Sequence, residues 1–497
     1  MLVRVLLVHP FDFPDPNRPP PLLPPNQAPP LGLAYIASYL REAGHDVSIL
    51  DMKHGVPPDR EEFLRQVQAF DPAVLGMGLY TVTMPVAEEI SRITKGWNPD
   101  LKIVVGGPHP AGAPEECGRN PHFDFAAVGE GERMMLELVD ALEQGTDIGE
   151  VAGLWYTVDP TDPTSELRTN APRGWIDDLD RLPYPARDLL PPLDSYAMTM
   201  FQYREWPATT IYTSRGCPYS CIFCERREIL GNKFRVHSAA YVVDEIEHLQ
   251  SEYGIKEIFF YDDTFTLDAR RVMNICEEIL DRGITISWNI STHVNTVDRE
   301  LLRLMAKAGC WQIAYGIETG DPRVIQDILK GTDLPTIRER IEWTVDAGIE
   351  AKGLFMIGHP TDTPESIDRT IEFARSLPIA SANFKITTPF VGTPLRDMAA
   401  EYGQLNADDY RNFMGDPDSP AFIANGLTAE YLSGVQRKAY YRFYSRPGRL
   451  VRIARSMAGR ENASKWFEGA RIMARLVRHQ ALGPAKGILP QILEFEH

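Results

Sequence analysis

The 497-residue chain is 43% hydrophobic and 24% charged, a composition that is typical of folded globular proteins and excludes a disordered or fibrous one. Its formal net charge of −18 argues against a dedicated nucleic-acid binder, because neutralising phosphates requires a basic surface. A chain of this length predicts roughly two to four domains.

The N-terminal region alternates strand-like and helix-like segments. A helical pattern begins at residue 31 and stops at Gly44, and amphipathic stretches begin near Arg60, Pro85 and Glu132. This alternation predicts an α/β fold, a doubly wound (flavodoxin-like) parallel sheet domain, over residues 1–150. The apolar runs expected to form its buried strands are residues 3–8, 47–50, 73–79, 102–107 and 125–129.

A second α/β series follows a segment with few core residues. Residues 151–205 hold a hairpin-like piece, GLWYTVD, and then a stretch rich in Asp and Pro, which is typical of a linker. Residues 206–400 repeat a strand and a helix six times, which predicts a partial (β/α)6 barrel. Residues 401–497 have no strand pattern and are predicted to form a mostly helical C-terminal region.

Three of the six cysteines lie within eight residues, in the segment TSRGCPYSCIFC after the first barrel strand. The loops that follow the strands of parallel β/α barrels carry the chemistry. The spacing of Cys217, Cys221 and Cys224 places three thiolates on one tight loop, so one iron of a [4Fe–4S] cluster would have no protein ligand. Such an iron can chelate S-adenosylmethionine and reduce its sulfonium, which yields a 5′-deoxyadenosyl radical.

A zinc site completed by His237 is the alternative for these cysteines, although structural zinc sites usually combine two short ligand pairs from separate places. Clustered cysteines in a long chain favour a metal or redox site in a reducing compartment. The sequence has no run of about 18 uncharged apolar residues, and its N-terminal apolar run is too short for a signal peptide. We therefore expect a cytoplasmic protein without a transmembrane segment.

The cysteine loop and the segments after it resemble the radical S-adenosylmethionine superfamily, in its class with an N-terminal cobalamin-binding domain. The residue before the third cysteine is usually aromatic in that superfamily, as Phe223 is here. The resemblance implies that Tyr261, Asp262 and Asp263, in FFYDDTFTLD, approach the amino group of S-adenosylmethionine. It also implies a contact from Glu318, in YGIETGD, for which a surface or helix-capping acid is the alternative. Further segments that match the class in order and spacing are LKGT (329–332), GLFMIGHPTDT (353–363) and TPFVGTPL (388–395).

One position departs from this class. Many relatives have an arginine after the third barrel strand, where it usually contacts the carboxylate of S-adenosylmethionine. This chain has Ser291, Thr292 and His293 there. The resemblance therefore leaves the carboxylate contact unassigned.

The first domain resembles the cobalamin-binding domain of the class over most of residues 3–143. An open α/β sheet binds ligands outside the carboxyl ends of its strands. Glycines in these loops would let the backbone approach a bulky ring, and threonines would hydrogen-bond its amides. The residues predicted to bind cobalamin are Thr81, Thr83, Gly106, Gly107, Gly129 and Glu130.

The cobalamin signature D-x-H-x-x-G is absent, because Asp51 and His54 have the wrong spacing. No histidine is thereby identified as a lower axial ligand, which favours a base-off, His-off form of the cofactor. A domain kept only as a scaffold is the alternative.

The C-terminal region is basic, in contrast to the rest of the chain. Residues 464–478 have an amphipathic helical pattern with Trp466 and Phe467 near one face. Such a helix can lie on an anionic membrane surface, a peripheral contact that would point to a lipid or isoprenoid substrate. An ordinary helix packed on the barrel is the alternative.

Together these features predict a radical enzyme that methylates an unactivated carbon of a small-molecule or lipid substrate, with methylcobalamin as the methyl donor. An oxidative ring closure or rearrangement, as in the anaerobic porphyrin cyclases that the chain also resembles, is the alternative within enzymes. A non-catalytic cobalamin sensor or carrier would not need the intact cysteine loop. The resemblance also implies an electron donor such as flavodoxin or ferredoxin.

Overall fold

The computed structural model describes residues 2–14, 28–159, 162, 164–196, 203–406, 409–414, 419–446 and 449. Two parallel sheets with helices on both sides dominate this part of the chain, which confirms the predicted α/β class. Residues 464–478, with the predicted basic helix, lie outside the described residues.

The first sheet has seven strands in the order β2-β1-β3-β4-β5-β6-β7, of which the first five in this order run parallel. This order confirms the flavodoxin-like prediction, and its topological switch point lies between β1 and β3. The strands are β1 (Arg4–His9), β2 (Asp46–Asp51), β3 (Val74–Gly78), β4 (Lys102–Gly106), β5 (Phe125–Ala127), β6 (Leu154–Thr157) and β7 (Leu167–Thr169).

Helices cover both faces of this sheet. Val5 and Leu7 of β1 pack on one face with residues of the first and last helices, whereas Leu6 and Val8 pack on the other face. This alternation follows from the two-residue period of a strand, and it explains why parallel strands are apolar throughout. The helices are α1 (Leu31–Glu42), α2 (Arg60–Phe70), α3 (Met84–Trp97), α4 (Pro108–Gly112), α5 (Pro114–Arg119) and α6 (Gly131–Gln144).

The hairpin β6–β7 belongs to the first sheet, although its residues fall in the segment predicted as a linker. β6 pairs antiparallel with β5, and β7 pairs antiparallel with β6. The hairpin covers the edge of β5, which would otherwise present unpaired backbone groups.

The second sheet has six parallel strands in the order β8-β11-β12-β13-β14-β15, with β8 and β15 at its two edges. The sheet is therefore an open half-barrel, as predicted. A separate two-stranded ladder, β9–β10, lies beside it. The strands are β8 (Ala208–Ile211), β9 (Ser214–Arg215), β10 (Arg235–Val236), β11 (Glu257–Phe260), β12 (Ser287–Thr292), β13 (Cys310–Glu318), β14 (Glu350–Ile357) and β15 (Ser381–Ile386).

Helices of this domain begin at polar residues whose side chains accept hydrogen bonds from the first turn, which stabilises each helix start. These capping residues are Ser238, Asp268, Asp298, Asp321, Asp333 and Thr363. The helices are α7 (Arg226–Leu230), α8 (Ala239–Tyr253), α9 (Ala269–Asp281), α10 (Arg299–Lys307), α11 (Pro322–Asp327), α12 (Leu334–Asp346) and α13 (Pro364–Ser376).

The described part of the C-terminal region contains α14 (Pro394–Tyr402), α15 (Ala429–Tyr444) and a short antiparallel ladder that the sequence pattern did not predict. This ladder joins β16 (Gly403–Leu405) to β17 (Phe422–Ala424). Within the described residues, no helix combines the length and the apolar character needed to cross a membrane.

Side chains of α15 cover the open edge strand β15. Gln436 Nε2 donates to Phe384 O at 2.8 Å, and Tyr440 Oη accepts from Phe384 N at 3.1 Å. Tyr444 Oη donates to Ala382 O at 2.9 Å and accepts from Ala382 N at 3.1 Å. The helix thus supplies hydrogen bonds that a further strand would make.

The two α/β domains approach closely where α4 meets the loop after β15. A Cβ atom built on Gly112 would lie less than 3.0 Å from the carbonyl oxygen of Val391, a distance that real Cβ atoms essentially never show. Because the obstacle is backbone, the contact cannot be relieved by a change of rotamer. Gly112 therefore sets the distance between the two domains at this point.

We expect Gly112→Ala to destabilise the chain by about 1–3 kcal/mol, because the added methyl group overpacks the domain contact. The matched control is Gly96→Ala in α3, where nothing lies within 4 Å of the added atom. That control should be neutral or stabilising by up to about 1 kcal/mol, since alanine favours a helix over glycine. Urea unfolding measures both, and equal effects would contradict the assigned contact.

Candidate functional site

The three clustered cysteines lie on the loop that joins β9 to β10. Gly216, just before the first cysteine, has φ +87°, a conformation that favours glycine, and a Cβ there would overlap the carbonyl oxygen of Lys233. Cys217 N donates to Gly231 O at 3.2 Å across the loop. The ladder at its base and this internal bond hold the loop in one shape.

All three cysteines are free thiols and partly exposed. Burial raises the pKa of Cys224 to about 12 and also raises that of Cys221. These groups are therefore protonated at neutral pH until a metal ion displaces the proton. Three thiols on one rigid loop at the carboxyl ends of barrel strands fit a [4Fe–4S] cluster with three protein ligands.

A four-iron cube does not require its ligands to converge on one point, because each thiolate binds a different iron. Among the described residues, no three His, Cys, Asp or Glu side chains are grouped closely enough for a single metal ion. His237, the proposed zinc ligand, is 1% exposed, and its ring stacks on Tyr241 with centroids 4.0 Å apart. Its Nδ1 lies 3.2 Å from Asp180 Oδ1. The surroundings of His237 thus give no support to the zinc alternative.

Glu318 and Lys330 form a buried ion pair beside the cysteine loop. Lys330 Nζ donates to Glu318 Oε1 at 2.8 Å, and it lies 5.9 Å from the ring centroid of Phe223. A Cβ on Gly316 would lie 2.5 Å from Glu318 Oε1, so that glycine leaves room for the pair. Burial lowers the pKa of Lys330, but Glu318 and Cys221 outweigh it and raise this pKa above its ordinary value. The ammonium group therefore stays charged.

His293 occupies the place where many relatives have arginine. Its Nε2 lies 2.9 Å from Lys330 O, and its ring stacks on Tyr219 at a centroid distance of 4.0 Å. Burial and the charge of Lys330 lower the pKa of His293 to about 4, so the imidazole is neutral at pH 7. A cation at this side of the loop is instead Lys330, which belongs to the matching segment LKGT but is not among the predicted site residues.

The residues after β11 differ in their surroundings. Asp262 is 2% exposed and accepts three hydrogen bonds of 2.6 Å, from Thr213 N, Thr213 Oγ1 and Ser214 Oγ. It thereby ties the end of β11 to the start of the cysteine loop. Asp263 pairs with Arg226 Nε at 3.1 Å, just beyond the third cysteine. The contacts of Tyr261, Asp262 and Asp263 with S-adenosylmethionine remain predictions.

Four buried ionised residues join the cysteine loop to the first domain, and we call Glu130, Glu132, Arg215 and Arg235 the interdomain charge cluster. Arg215 and Arg235 are register partners in β9–β10. Glu130 Oε1 accepts from Arg215 at 2.7 Å and from Arg235 at 2.8 Å, and Glu132 Oε1 accepts from Arg215 at 2.6 Å. Each side chain is at most 10% exposed.

Glu130 also accepts a hydrogen bond from Ile176 N at 2.6 Å through its other oxygen. Both oxygens are thus engaged by protein groups. The contact of Glu130 with cobalamin remains a prediction. In the structure, its carboxylate binds protein groups at the contact between the two domains. Sequence reasoning missed this role because it depends on the pairing of two arginines far along the chain.

The other predicted cobalamin residues lie at the carboxyl edge of the first sheet, as expected. A Cβ on Gly107, which has φ +100°, would lie 3.2 Å from both Leu79 N and Leu79 O. Thr81 Oγ1 lies 3.2 Å from His109 Nδ1, and Thr83 Oγ1 donates to Tyr80 O at 3.0 Å. Both hydroxyls have partners within the domain. The remaining members are Gly106, the last residue of β4, and Gly129, in the turn that follows β5.

The loops at the carboxyl edge of the first domain lie beside the cysteine loop. α7, directly after the third cysteine, packs against α4 of the first domain. Desolvation raises the pKa of Tyr80, and the charge of Arg226 in α7 opposes that rise, so Tyr80 of the first domain lies close to the cysteine loop. Tyr212 and Tyr261 meet nearby with centroids 5.7 Å apart at 90°. Aromatic side chains from both domains therefore lie beside the cysteine loop.

Two family models match the chain, the B12 binding domain over residues 24–139 and the Radical SAM superfamily over residues 211–374. The chain is 36% identical to the uncharacterized methyltransferase PH0819 of Pyrococcus horikoshii, over 85% of this chain and 89% of that protein. It is 28% identical to the anaerobic magnesium-protoporphyrin IX monomethyl ester cyclase of Rubrivivax gelatinosus, over 76% and 66%. It is also 28% identical to the hopanoid C-3 methylase of Methylococcus capsulatus, over 77% and 71%.

Solved structures show the same fold. The radical S-adenosylmethionine methyltransferase TsrM from Kitasatospora setae superposes with a TM-score of 0.68 at 20% identity, covering 90% of each chain. The cobalamin-dependent S-adenosylmethionine radical enzyme OxsB superposes with a TM-score of 0.71 at 19% identity, covering 99% of this chain and 74% of that one.

We expect Glu130→Gln to lower the free energy of unfolding by about 3–5 kcal/mol, because buried Arg235 then loses its carboxylate partner and Arg215 keeps only Glu132. The control is Glu115→Gln, which breaks an exposed pair with Arg119 at 3.0 Å and should cost less than about 1 kcal/mol. Urea unfolding of the metal-free chain measures both changes. A Glu130→Gln effect as small as that of the control would refute the importance of the interdomain charge cluster.

Proposed function

The chain belongs to the radical S-adenosylmethionine superfamily, in the class with an N-terminal B12-binding domain, and on that premise we propose that it methylates an unactivated carbon of a small-molecule or lipid substrate. One observation carries the proposal. The cysteine loop of the barrel packs against the ligand-binding edge of the first domain, through α7 on α4 and through the interdomain charge cluster. A substrate bound at this contact would lie between the two proposed cofactor sites.

In this proposal Cys217, Cys221 and Cys224 hold the cluster. When bound, the cluster and S-adenosylmethionine supply a 5′-deoxyadenosyl radical, and methylcobalamin supplies the methyl group. The protein's part is to fix the positions of the groups and to exclude water, which would let radicals be quenched. Asp262 contributes by bracing the start of the cysteine loop through its three hydrogen bonds.

The ion pair of Glu318 and Lys330 is proposed to receive the amino acid end of S-adenosylmethionine. That end carries an ammonium and a carboxylate group, and a buried carboxylate beside a buried ammonium offers one partner for each. The pair lies near Phe223, between two of the cluster ligands. Lys330 would thus take the role that an arginine has in many relatives.

The choice of methylation over ring closure is supported by the named relatives. PH0819 is named a methyltransferase and has the higher identity, whereas the cyclase of Rubrivivax gelatinosus is 28% identical. The lipid option is supported by the hopanoid C-3 methylase. Oxidative ring closure remains the second candidate, because it would use the same radical start.

We propose a cytoplasmic location and an electron donor such as flavodoxin or ferredoxin. Six free thiols fit a reducing compartment. A cluster bound to the cysteine loop needs an electron donor of low reduction potential in order to reduce the sulfonium of S-adenosylmethionine.

The decisive test uses anaerobically reconstituted chain with cobalamin, reductant and S-adenosylmethionine carrying a trideuterated methyl group, incubated with an extract of the source cells. Methylation predicts a product heavier by one labelled methyl group, together with S-adenosylhomocysteine and 5′-deoxyadenosine. A product lighter by two hydrogens, without label, would favour ring closure and overturn methylation.

Cys221→Ala should abolish both the brown colour of the reconstituted protein and its formation of 5′-deoxyadenosine, because the cluster loses one of three protein ligands. Cys276→Ala, at a buried cysteine of α9, is the control and should bind about four irons per chain. Iron analysis and the optical spectrum report the cluster. A Cys221→Ala protein with an intact cluster would exclude the assigned ligand.

Lys330→Met should weaken binding of S-adenosylmethionine to the reconstituted protein at least tenfold, about 1.4 kcal/mol, because a charge-assisted hydrogen bond is lost. The control is Lys307→Met, at the exposed end of α10, which should leave the affinity unchanged. Equilibrium dialysis with the cluster kept oxidised measures binding without turnover. Equal affinities of the two variants would remove Lys330 from the site.

A further inference from the structure

His109 is a buried histidine at the start of α4, close to two glycines predicted to bind cobalamin. Leu79 N donates to Gly106 O at 2.7 Å, and His109 N donates to Leu79 O at 3.0 Å. These backbone bonds join the start of α4 to the loop that follows β3. His109 is 0% exposed, so protein groups alone surround its ring.

Each ring nitrogen of His109 faces a different part of the chain. Nδ1 lies 3.2 Å from Thr81 Oγ1, and Nε2 lies 3.7 Å from Glu116 Oε1 of α5. The second distance is longer than a hydrogen bond, so Glu116 acts on the ring through its charge. Burial raises the pKa of Glu116, but His109 and Tyr410 outweigh burial and lower this pKa below its ordinary value. The carboxylate is therefore ionised at neutral pH.

Tyr410 of the C-terminal region holds this carboxylate. Its Oη donates to both oxygens of Glu116, at 2.9 and 2.8 Å. Burial and Glu116 raise the pKa of Tyr410, so the phenol keeps its hydrogen at neutral pH. The ring of Tyr410 packs edge-on against that of His109, with centroids 5.1 Å apart at 70°. His109 is thus enclosed by Thr81 on one side and by Glu116 and Tyr410 on the other.

The C-terminal segment of residues 410–414 packs directly on the loop that follows β3. It contacts residues 81–83, of which Thr81 is 2% exposed, so the hydroxyl of Thr81 holds the loop from inside. On its other side, Phe413 of the segment lies under the guanidinium of Arg396 in α14, with Cζ 5.4 Å from the ring centroid. The segment therefore connects the region after the barrel to the ligand-binding edge of the first sheet.

We propose that Tyr410 of the C-terminal region is a positioning residue of the cobalamin site. Through Glu116 and His109 it fixes Thr81, and with Thr81 the loop of residues 80–83. This loop follows β3, one of the two strands that flank the topological switch point, where an open α/β sheet binds its ligand. The proposal rests on the proposed function only in requiring that the first domain binds cobalamin. Without the hydrogen bonds of Tyr410, the ring of His109 is less confined and the loop is held less firmly.

The test measures binding of hydroxocobalamin to the full-length chain by equilibrium dialysis and absorbance. Tyr410→Phe keeps a ring against His109 but loses both hydrogen bonds to Glu116, and it should raise the Kd about three- to tenfold. The control is Tyr441→Phe, at a tyrosine of α15 that is 53% exposed, which should leave the Kd unchanged. Equal Kd values for Tyr410→Phe and the wild type would overturn the proposal. If Tyr410→Phe fails to fold, Glu116→Ala, which breaks the same contact, is the second variant and should raise the Kd by a similar factor.

A double-mutant cycle with Thr81→Val separates this role from a general loss of stability. Because Tyr410 acts through Thr81, Tyr410→Phe should change the Kd less than about twofold once Thr81 is replaced. An effect equally large in both backgrounds would show that Tyr410 acts independently of Thr81, which overturns its positioning role and leaves the proposed function intact. A wild-type chain that binds no hydroxocobalamin would overturn both.

Discussion

A single carboxylate, that of Glu130, holds together two arginines that would otherwise repel each other at the base of the cysteine loop. Arg215 and Arg235 stand opposite each other in a two-stranded ladder, and like charges in such positions are destabilising. Glu130 and Glu132 supply the opposite charge from the neighbouring domain. The packing of the first domain against the base of the cysteine loop therefore depends on this buried set of ion pairs.

This arrangement relates the two sites to each other. The turn that carries Glu130 follows β5 at the ligand-binding edge of the first sheet, and Arg215 stands two residues before the first cysteine of the loop. Because hydrogen bonds connect this turn directly to Arg215, a movement of the turn would also displace the start of the cysteine loop. A radical enzyme whose substrate reacts with two cofactors in turn needs such fixed distances, because a small misplacement has a large effect on rate.

Much of the fold and part of the site could be predicted from the sequence. Apolar runs of strand length, alternating with amphipathic segments, identified both sheets, because each buried strand needs a helix to cover it. The spacing of Cys217, Cys221 and Cys224 identified the loop. Pairings between distant residues could not be predicted. Glu318 and Lys330 are 12 residues apart, and Glu130 and Arg235 are 105 apart, so their contacts exist only once the chain has folded.

Because α15 covers the edge strand β15, it affects the tendency of the folded chain to aggregate. An open half-barrel has two edge strands, and a neighbouring molecule could add a strand to either of them. At the edge strand β15, backbone groups form hydrogen bonds with side chains instead, namely those of Gln436, Tyr440 and Tyr444. A molecule cut before residue 429 would lose this protection and offer a template for self-assembly. The helix thus protects this edge of the sheet without adding another strand to it.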